Sequence, residues 1–523
     1  MNKNPLKSSS FESFLATGAS VFAVTLGVKL LDALKNIISV SRFGVTAQAD
    51  VYNIILTMPD LIVVAIGLDT IRGAATTYFT EYVTRKEYDK VEQLFSSLFS
   101  WGIVVAILLG SLVSLAMPSI VHLIASGFTG EKLELTITLA YIVIPILLFR
   151  IIIGILVSLL YAHNVFVRVT IFSALTSVAV IVALVISGTD VLARNAAIAY
   201  SIGFSVYVIL LALLCRKYVK WKFSLRNIPP VFWEVLRFSG ALVAAMMIAQ
   251  IAALVEKRVA SFFPDGTVAS LGYANALAGQ FVFLIAALFG VMQRQLSVKI
   301  TQEGEKEAMR DYWQMLSYIL FAVMFCAAVL VVLRYPILQV LYKRQSFDEA
   351  ALARTALPLA VYALWIIGQV VSLTTTTLLL AMKRSRVIVF GSLIAYGLDI
   401  CLVGVFAQWL GYVGVAVSSL LTITVYAGML LWGLRIAFGR GAFAEGKPIL
   451  RILLLGVVAS VVMVWTLHLI TPVGPPLFIQ AVEQIVIVIG TGLLVYLLLA
   501  SVLKVNYAGF FLTNIKRRFA RAA

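Results

Sequence analysis

The amino-acid sequence predicts an all-α polytopic membrane protein with about 14 transmembrane helices. The first observation is composition: 62% of the 523 residues are hydrophobic and 12% are charged. A soluble domain is usually about 45–50% apolar and about 25% charged. The second observation is a series of long apolar stretches, and the third is the uneven distribution of Lys and Arg between the segments that join them.

A helix that crosses a bilayer needs about 20 mainly apolar residues. Fourteen stretches meet this requirement, and the second is too long for one straight span, so Pro59 is predicted to kink or break it. The predicted spans are 14–41, 47–82, 91–117, 133–161, 169–187, 194–215, 233–263, 268–298, 312–333, 352–382, 387–409, 411–434, 450–470 and 478–503.

The loop charges predict the orientation. Cytoplasmic loops carry an excess of Lys and Arg. With fourteen spans and the N-terminus inside, 26 of the 41 Lys and Arg residues fall on the inner side and seven, among them Lys132, on the outer side. Both termini are therefore predicted in the cytoplasm. Membrane topology also explains the net charge of +17, so we expect no nucleic-acid partner.

The first two spans carry charge at depths where each such group costs about 2.5–3.5 kcal/mol on insertion scales. Lys29, Asp32 and Lys35 recur every three residues and therefore lie along one side of a helix. Asp50 and Asp60 follow, and Asp69 is three residues from Arg72, so these two side chains could pair. We expect these groups to face water or one another rather than lipid.

Later spans carry fewer polar groups. Beyond the second span, the polar groups considered as candidates are Arg150, the run Glu256–Lys257–Arg258, Asn275, Arg294 and Asp399. Nearly all of the deep charge therefore lies in the first eight predicted spans.

Two interpretations of the buried charge remain open. In the first, Lys29, Lys35, Asp50, Arg72, Arg150, Asn275 and Arg294 line a cationic central cavity that binds an anionic lipid headgroup such as a pyrophosphate. In the second, the charges form internal salt bridges, such as Asp32 with Lys29 or Lys35. Asp32, Asp69, Glu256, Lys257 and Asp399 are assigned to ion coupling or structure, and Asp399 either binds a coupling cation, H⁺ or Na⁺, or caps a polar contact.

Motifs for catalysis are missing from the sequence. The three histidines are far apart, and neither a phosphate-binding GxxxxGK[ST] loop nor a GxSxG elbow occurs. The three cysteines, Cys215, Cys326 and Cys401, have no disulfide or metal-ligand spacing. The sequence therefore predicts a transporter without a metal site or an organic cofactor, and not an enzyme.

Several short motifs occur in the order and spacing of a known family. The first two spans contain Lys29 with Lys35–Asn36, then Phe43–Gly44, Asp50, Pro59 and Thr80–Glu81–Tyr82. Later motifs are Leu254–Ser261, Gly266, Tyr273–Leu277, Leu341–Asp348 and Leu410–Ala416. Together they resemble the MurJ/MviN-type lipid II flippases of the multidrug/oligosaccharidyl-lipid/polysaccharide (MOP) exporter superfamily, over about residues 14–435.

The resemblance implies two six-helix lobes around a central cavity, plus two C-terminal helices. The implied parts are a cytoplasmic N-terminus (1–13), an N-lobe (14–215), a cytoplasmic linker (216–232), a C-lobe (233–434), a cytoplasmic loop (435–449), two more spans (450–503) and a basic cytoplasmic tail (504–523). It also implies a multi-pass protein of the bacterial inner membrane that moves undecaprenyl-pyrophosphate-linked glycans, with polysaccharide polymerase or assembly proteins as further partners.

The chain departs from the family at positions that bind the lipid II headgroup. By resemblance, Lys29 and Lys35 occupy positions of cavity arginines, and Asp50 occupies that of a cavity aspartate. The family's arginine pair falls on Val63 and Val64, its following acidic residue on Leu68, and a later arginine on Ala276. These replacements favour a different lipid-linked glycan.

Four functions follow from these observations. The favoured one is a flippase for an exopolysaccharide or surface-glycan repeat unit. The alternatives are a lipid II flippase for peptidoglycan synthesis, a cation-coupled small-molecule antiporter centred on Asp50 and Asp399, and a non-transporting scaffold of a polysaccharide assembly complex.

Overall fold

The computed structural model describes residues 5–65, 67–226, 228–439, 446–470 and 477–503, and this part of the chain contains no strand. The predicted tail 504–523 and the side chains of Asp60, Asp69 and Arg294 lie outside the described part. Its α-helices are α1 (Pro5–Phe43), α2 (Ala47–Ala65), α3 (Leu68–Thr84), α4 (Tyr88–Leu115), α5 (Met117–Ile124), α6 (Gly130–Ala162), α7 (Phe166–Ile186), α8 (Leu192–Cys215), α9 (Pro230–Ala260), α10 (Thr267–Glu303), α11 (Glu305–Val332), α12 (Arg334–Tyr342), α13 (Glu349–Ala381), α14 (Ser385–Leu410), α15 (Val413–Phe438), α16 (Lys447–Leu469) and α17 (Leu477–Val502).

The helices account for the predicted spans. Among the described residues, ten helical segments are long and apolar enough to cross a membrane. The other four predicted spans coincide with α1, with α2 and α3 together, with α9 and with α10. The structure is therefore consistent with fourteen spans, and the all-α membrane fold is confirmed.

The second predicted span is broken, but the break does not lie at Pro59. Pro59 is inside α2, which continues to Ala65, and α3 begins at Leu68. Gly67, just before α3, has a φ of 72°. A left-handed residue cannot continue a right-handed helix, whereas a bent helix can accommodate a proline. The position of the break is a correction to the sequence prediction.

The chain divides into two compact units: Met1–Gln250 with Pro264–Gly266, and Ile251–Phe263 with Thr267–Ala523. Each unit contains one helix of 33 residues with an internal proline, α6 in the first and α13 in the second. In the first unit α6 packs against α2, α3, α4 and α8, and in the second α13 packs against α10, α11 and α15. A short helix, α5 or α12, precedes each long one. This recurrence indicates an internal repeat, as in many transporter folds.

The two C-terminal helices pack on the second unit's own helices. α16 contacts α11, and α17 contacts α12 and α16. The buried Tyr496 hydroxyl donates a hydrogen bond of 2.8 Å to the carbonyl of Phe321, and its ring lies against those of Phe321 and Phe325. A buried tyrosine hydroxyl needs such a partner, and here it attaches α17 to α11.

We expect Gly414→Ala to destabilise the pairing of α14 with α15. A Cβ at Gly414 would lie 2.1 Å from the carbonyl oxygen of Phe406, a backbone atom that cannot move alone. Overpacking of this kind costs about 1–3 kcal/mol, measured as a lower unfolding temperature in detergent. Gly404→Ala in α14 is the control, because no atom lies within 4 Å of its added Cβ; equal effects would contradict the packing argument.

Candidate functional site

Lys29, Asp32 and Lys35 of α1 form one ionic group. Lys29 Nζ lies 3.4 Å from Asp32 Oδ2, and Lys35 Nζ lies 4.0 Å from Asp32 Oδ1. α1 packs along α7, and the hydroxyl of Ser177 on α7 donates a hydrogen bond to Asp32. The ion pairs are those that the second interpretation predicted from the three-residue spacing.

The group has more cationic than anionic side chains. Two lysines and one aspartate leave a formal charge of +1, and the lysine side chains remain 36% and 20% exposed. Asp32 acts as an anchor that holds two ammonium groups on one side of α1. Such a pair can accept an anion as a point-charge site, without the planar fork that arginine offers to phosphate.

Asp50 has a different environment. Its side chain is 1% exposed, and its Oδ2 accepts hydrogen bonds from Lys132 Nζ at 2.8 Å and from the backbone N–H of Gly266 at 2.7 Å. Lys132 Nζ also lies 2.7 Å from the exposed Asp265 and 3.8 Å from the centre of the Phe128 ring. The Asp50 carboxylate is therefore engaged by the protein's own donors.

Two further residues assigned to the cavity, Arg72 and Arg150, also belong to the first unit. Arg72 is exposed on α3, and its backbone carbonyl accepts a hydrogen bond of 3.1 Å from Ser158 of α6. The guanidinium of Arg150 lies 5.6 Å from the centre of the Phe204 ring, a contact between α6 and α8. The pairing predicted between Asp69 and Arg72 falls on a side chain outside the described part, as does Arg294.

A second polar cluster lies within the second unit. Glu256 of α9 and Asp399 of α14 have carboxyl groups that lie close enough to interact electrostatically. Ser418 of α15 donates to Asp399, and Ser419 donates to Glu256 at 2.5 Å. Asp399 is 2% exposed. Two neighbouring carboxylates repel each other when both are ionised, and a shared proton or cation relieves this repulsion.

Asn275 and Lys257 belong to the surroundings of this pair. The buried Tyr362 of α13 lies near the exposed Asn275 of α10 and near Ser419 of α15. Lys257 is close enough to interact electrostatically with Glu256. Asn275 was assigned to the substrate site from the sequence, and the structure places it beside the carboxyl pair.

Sequence reasoning missed several partners. It assigned Lys132 to an outer loop, whereas the structure pairs this residue with Asp50. It named no partner for Asp399, whereas the structure places Glu256 close to it. A sequence signal for the second pairing is the group of hydroxyl side chains Ser418, Ser419 and Thr422 in one predicted span. Among the described residues, no group of three or more His, Cys, Asp or Glu side chains could hold a metal ion.

Comparisons with known proteins are consistent with this arrangement. The family model described as "Lipid II flippase MurJ" matches residues 39–508, which is most of the chain. The chain belongs to the MurJ family. The family is one of flippases, which move a substrate across a membrane and catalyse no chemical reaction, so the prediction that this chain is not an enzyme is confirmed.

Relatives in the MurJ family are distant in sequence. A probable lipid II flippase MurJ of Rhizobium tropici is 23% identical over 359 residues, a match that covers 66% of each chain. One from Buchnera aphidicola is 21% identical over 513 residues, or 95% of this chain and 98% of the relative. These matches support membership along nearly the whole length.

Solved structures agree on the fold. A lipid II flippase MurJ in an inward closed conformation superposes with a TM-score of 0.75 at 21% identity, covering 92% of this chain and 98% of that one. An inward-facing MATE-family transporter of the MOP superfamily gives a TM-score of 0.66 at 16% identity, covering 80% and 99%. MurJ-like architecture and multi-pass membrane localisation follow from these likenesses.

Two of the four positions that the resemblance assigned to the lipid II headgroup, Val63 and Leu68, are apolar packing positions, whereas Ala276 is exposed and the side chain of Val64 lies outside the described part. Val63 is 3% exposed and Leu68 is 7% exposed. Both belong to a hydrophobic cluster with Ala106, Leu147 and Ile151. An arginine or a carboxylate could not occupy these positions without being buried among aliphatic side chains.

Proposed function

We propose that this chain flips an undecaprenyl-pyrophosphate-linked oligosaccharide, a repeat unit of an exopolysaccharide or other surface glycan, across the bacterial inner membrane. Transport occurs by alternating access. The first unit presents the substrate-binding cations, and Lys29 and Lys35 bind the pyrophosphate while Asp32 holds them in place.

One observation carries the choice of substrate. Val63 and Leu68 are packed into an apolar cluster at positions where the resemblance places lipid II headgroup residues. The chain still carries the cationic group of Lys29 and Lys35 on α1. Recognition of the pyrophosphate common to lipid-linked glycans is therefore preserved, and contacts specific to the lipid II headgroup are removed.

Lipid II is the second candidate substrate. Its support is that the MurJ family and the relatives in Rhizobium tropici and Buchnera aphidicola are described as lipid II flippases. In this case the missing charges would be supplied by other cations of the first unit, such as Arg72 and Arg150.

Energy coupling is assigned to Glu256 and Asp399. Carboxylate and hydroxyl oxygens suit H⁺ or Na⁺, and two facing carboxyl groups can exchange one such ion. The same pair would serve the alternative of a cation-coupled small-molecule antiporter. It is separate from the cations of the first unit, so coupling and substrate recognition can be tested by different substitutions.

The substrate test compares export of the surface glycan in cells that express wild-type protein or Lys29→Gln with Lys35→Gln. We expect at least about a tenfold loss of export, because a charge-assisted hydrogen bond contributes about 1.5–3 kcal/mol. The wild-type protein is also expressed in a strain depleted of its own lipid II flippase, and we expect no rescue of growth.

Lys306→Gln with Arg310→Gln is the matched control, since it removes two exposed cations at the start of α11. Undiminished export by the α1 variant at normal protein levels would refute the proposed binding role. Rescue of the depleted strain would assign lipid II instead. Drug resistance without glycan export would favour the antiporter, and no transport of any kind would favour a scaffold.

A further inference from the structure

The segment that joins α8 to α9 lies along α4 in an extended conformation. We call residues 219–224 the strap. Three backbone N–H groups of the strap donate to side chains of α4, with the pairs Lys220 to Glu92 Oε1 at 3.2 Å, Lys222 to Ser96 Oγ at 3.2 Å and Ser224 to Ser100 Oγ at 3.0 Å. Two residues of an extended chain span about 6.6 Å, and four residues of a helix span about 6 Å. Every second residue of the strap can therefore meet every fourth residue of α4.

This attachment uses the backbone of the strap and leaves its side chains available. Lys220 and Lys222 are exposed. Between and after them, Trp221 is 44% exposed and Phe223 is 59% exposed. Trp221 packs edge-on against Phe99 of α4, with ring centres 5.2 Å apart, so its ring has a defined position.

The strap belongs to a strongly basic stretch. Residues 216–226 contain five Lys or Arg residues and no acidic residue. All five are exposed, and none forms an ion pair with the part of the chain that the structure describes. Lys220 and Lys222 border a cavity of about 800 Å³, with Gln93 and Ser96 of α4 among its other lining residues.

Acidic side chains of α4 balance the formal charge of this cavity without forming ion pairs with its lysines in the described structure. Asp89 and Glu92 also line it, but neither lies within ion-pairing distance of the two lysines in the described structure. Glu92 instead accepts the N–H of Lys220 through its side chain. The ammonium groups therefore remain available to an anion from outside the protein.

The length of α4 places the strap at a membrane surface. A helix of 28 residues is about 42 Å long and exceeds the hydrocarbon thickness of about 30 Å. The first turns of α4, which carry Glu92, Gln93 and Ser96, are its polar end. The strap begins beside this end, where Lys220 contacts Glu92. Aromatic rings and basic side chains such as those of the strap favour the headgroup region of a bilayer.

We propose that the strap is a docking surface for anionic phospholipids of the surrounding bilayer. Trp221 and Phe223 insert among the headgroups, and Lys220 and Lys222 bind the lipid phosphate at the mouth of the cavity. This surface goes beyond the proposed transport function and does not depend on which glycan is moved.

The test uses the full-length protein in detergent and native mass spectrometry of bound lipids. Phosphatidylglycerol and phosphatidylcholine are compared at equal concentrations. Lys220→Gln with Lys222→Gln should lower the preference for phosphatidylglycerol at least about fivefold, since each cation near an anionic leaflet contributes about that factor. Trp221→Ser with Phe223→Ser should weaken the binding of both lipids and leave the preference for phosphatidylglycerol unchanged.

Lys383→Gln with Arg386→Gln is the matched control, because it removes two exposed cations, one between α13 and α14 and one in the first turn of α14, on the same predicted side. An unchanged preference in the strap lysine variant, or an equal fall in the control, would overturn the proposal. Displacement of phosphatidylglycerol by inorganic phosphate at equal concentration would also overturn it, by indicating a phosphate site. Gel-filtration profiles and unfolding temperatures verify that each variant is folded.

Discussion

Replacement of Lys132 by Met is expected to cost about 3–5 kcal/mol of folding free energy, the usual effect of removing one partner of a buried ion pair. Asp50 is 1% exposed and would keep the N–H of Gly266 but lose the ammonium group of Lys132. Chemical denaturation in mixed micelles measures the change, and it should be accompanied by a lower unfolding temperature.

A double substitution separates the ion pair from general damage to α6. Asp50→Asn with Lys132→Met removes both charges and should recover most of the loss, because no ionised group is then left buried without its partner. Arg85→Met is the matched control: it breaks the exposed pair with Glu81, whose side chains are 63% and 42% exposed. We expect about 0–1 kcal/mol there. An equally small effect for Lys132→Met would contradict the buried-pair argument.

Replacement of Asp399 by Asn is expected to reduce transport at least about tenfold while the protein stays folded. Ionisable groups inside spans are usually functional, and an amide cannot exchange H⁺ or bind Na⁺ as a carboxylate does. The amide can still hydrogen-bond to Glu256 and Ser418, so the packing of α14 on α15 is retained. Export in cells measures transport, and the rise of unfolding temperature on exchanging choline chloride for sodium chloride measures ion binding.

The matched control is Glu483→Gln, which removes another carboxyl group from a predicted span, in α17 and away from the pair. It should leave both export and the sodium effect unchanged. Wild-type transport in Asp399→Asn would remove Asp399 from the coupling role. Loss of the sodium effect with normal export would separate ion binding from transport and exclude that ion as the energy source.

Local patterns explain the parts of the molecule that the sequence predicted well. Span positions follow from runs of apolar residues, which a bilayer requires regardless of how the helices pack. The association of Lys29, Asp32 and Lys35 follows from helical periodicity, since residues three apart share a side. The position of the break after α2 was harder to predict, because Pro59 and Gly67 can both interrupt a helix. Only the backbone conformation shows which of the two residues does so.

By itself, the sequence determined that this chain is an all-helical membrane protein of the MurJ type with cations on its first helix, because hydropathy, helical period and ordered motifs are all properties of the linear chain. The tertiary structure decided which charges meet. Asp50 with Lys132 and Glu256 with Asp399 join residues far apart in sequence, and no local pattern specifies such pairs. It also decided that Val63 and Leu68 are packing residues, because burial depends on neighbours that other helices supply.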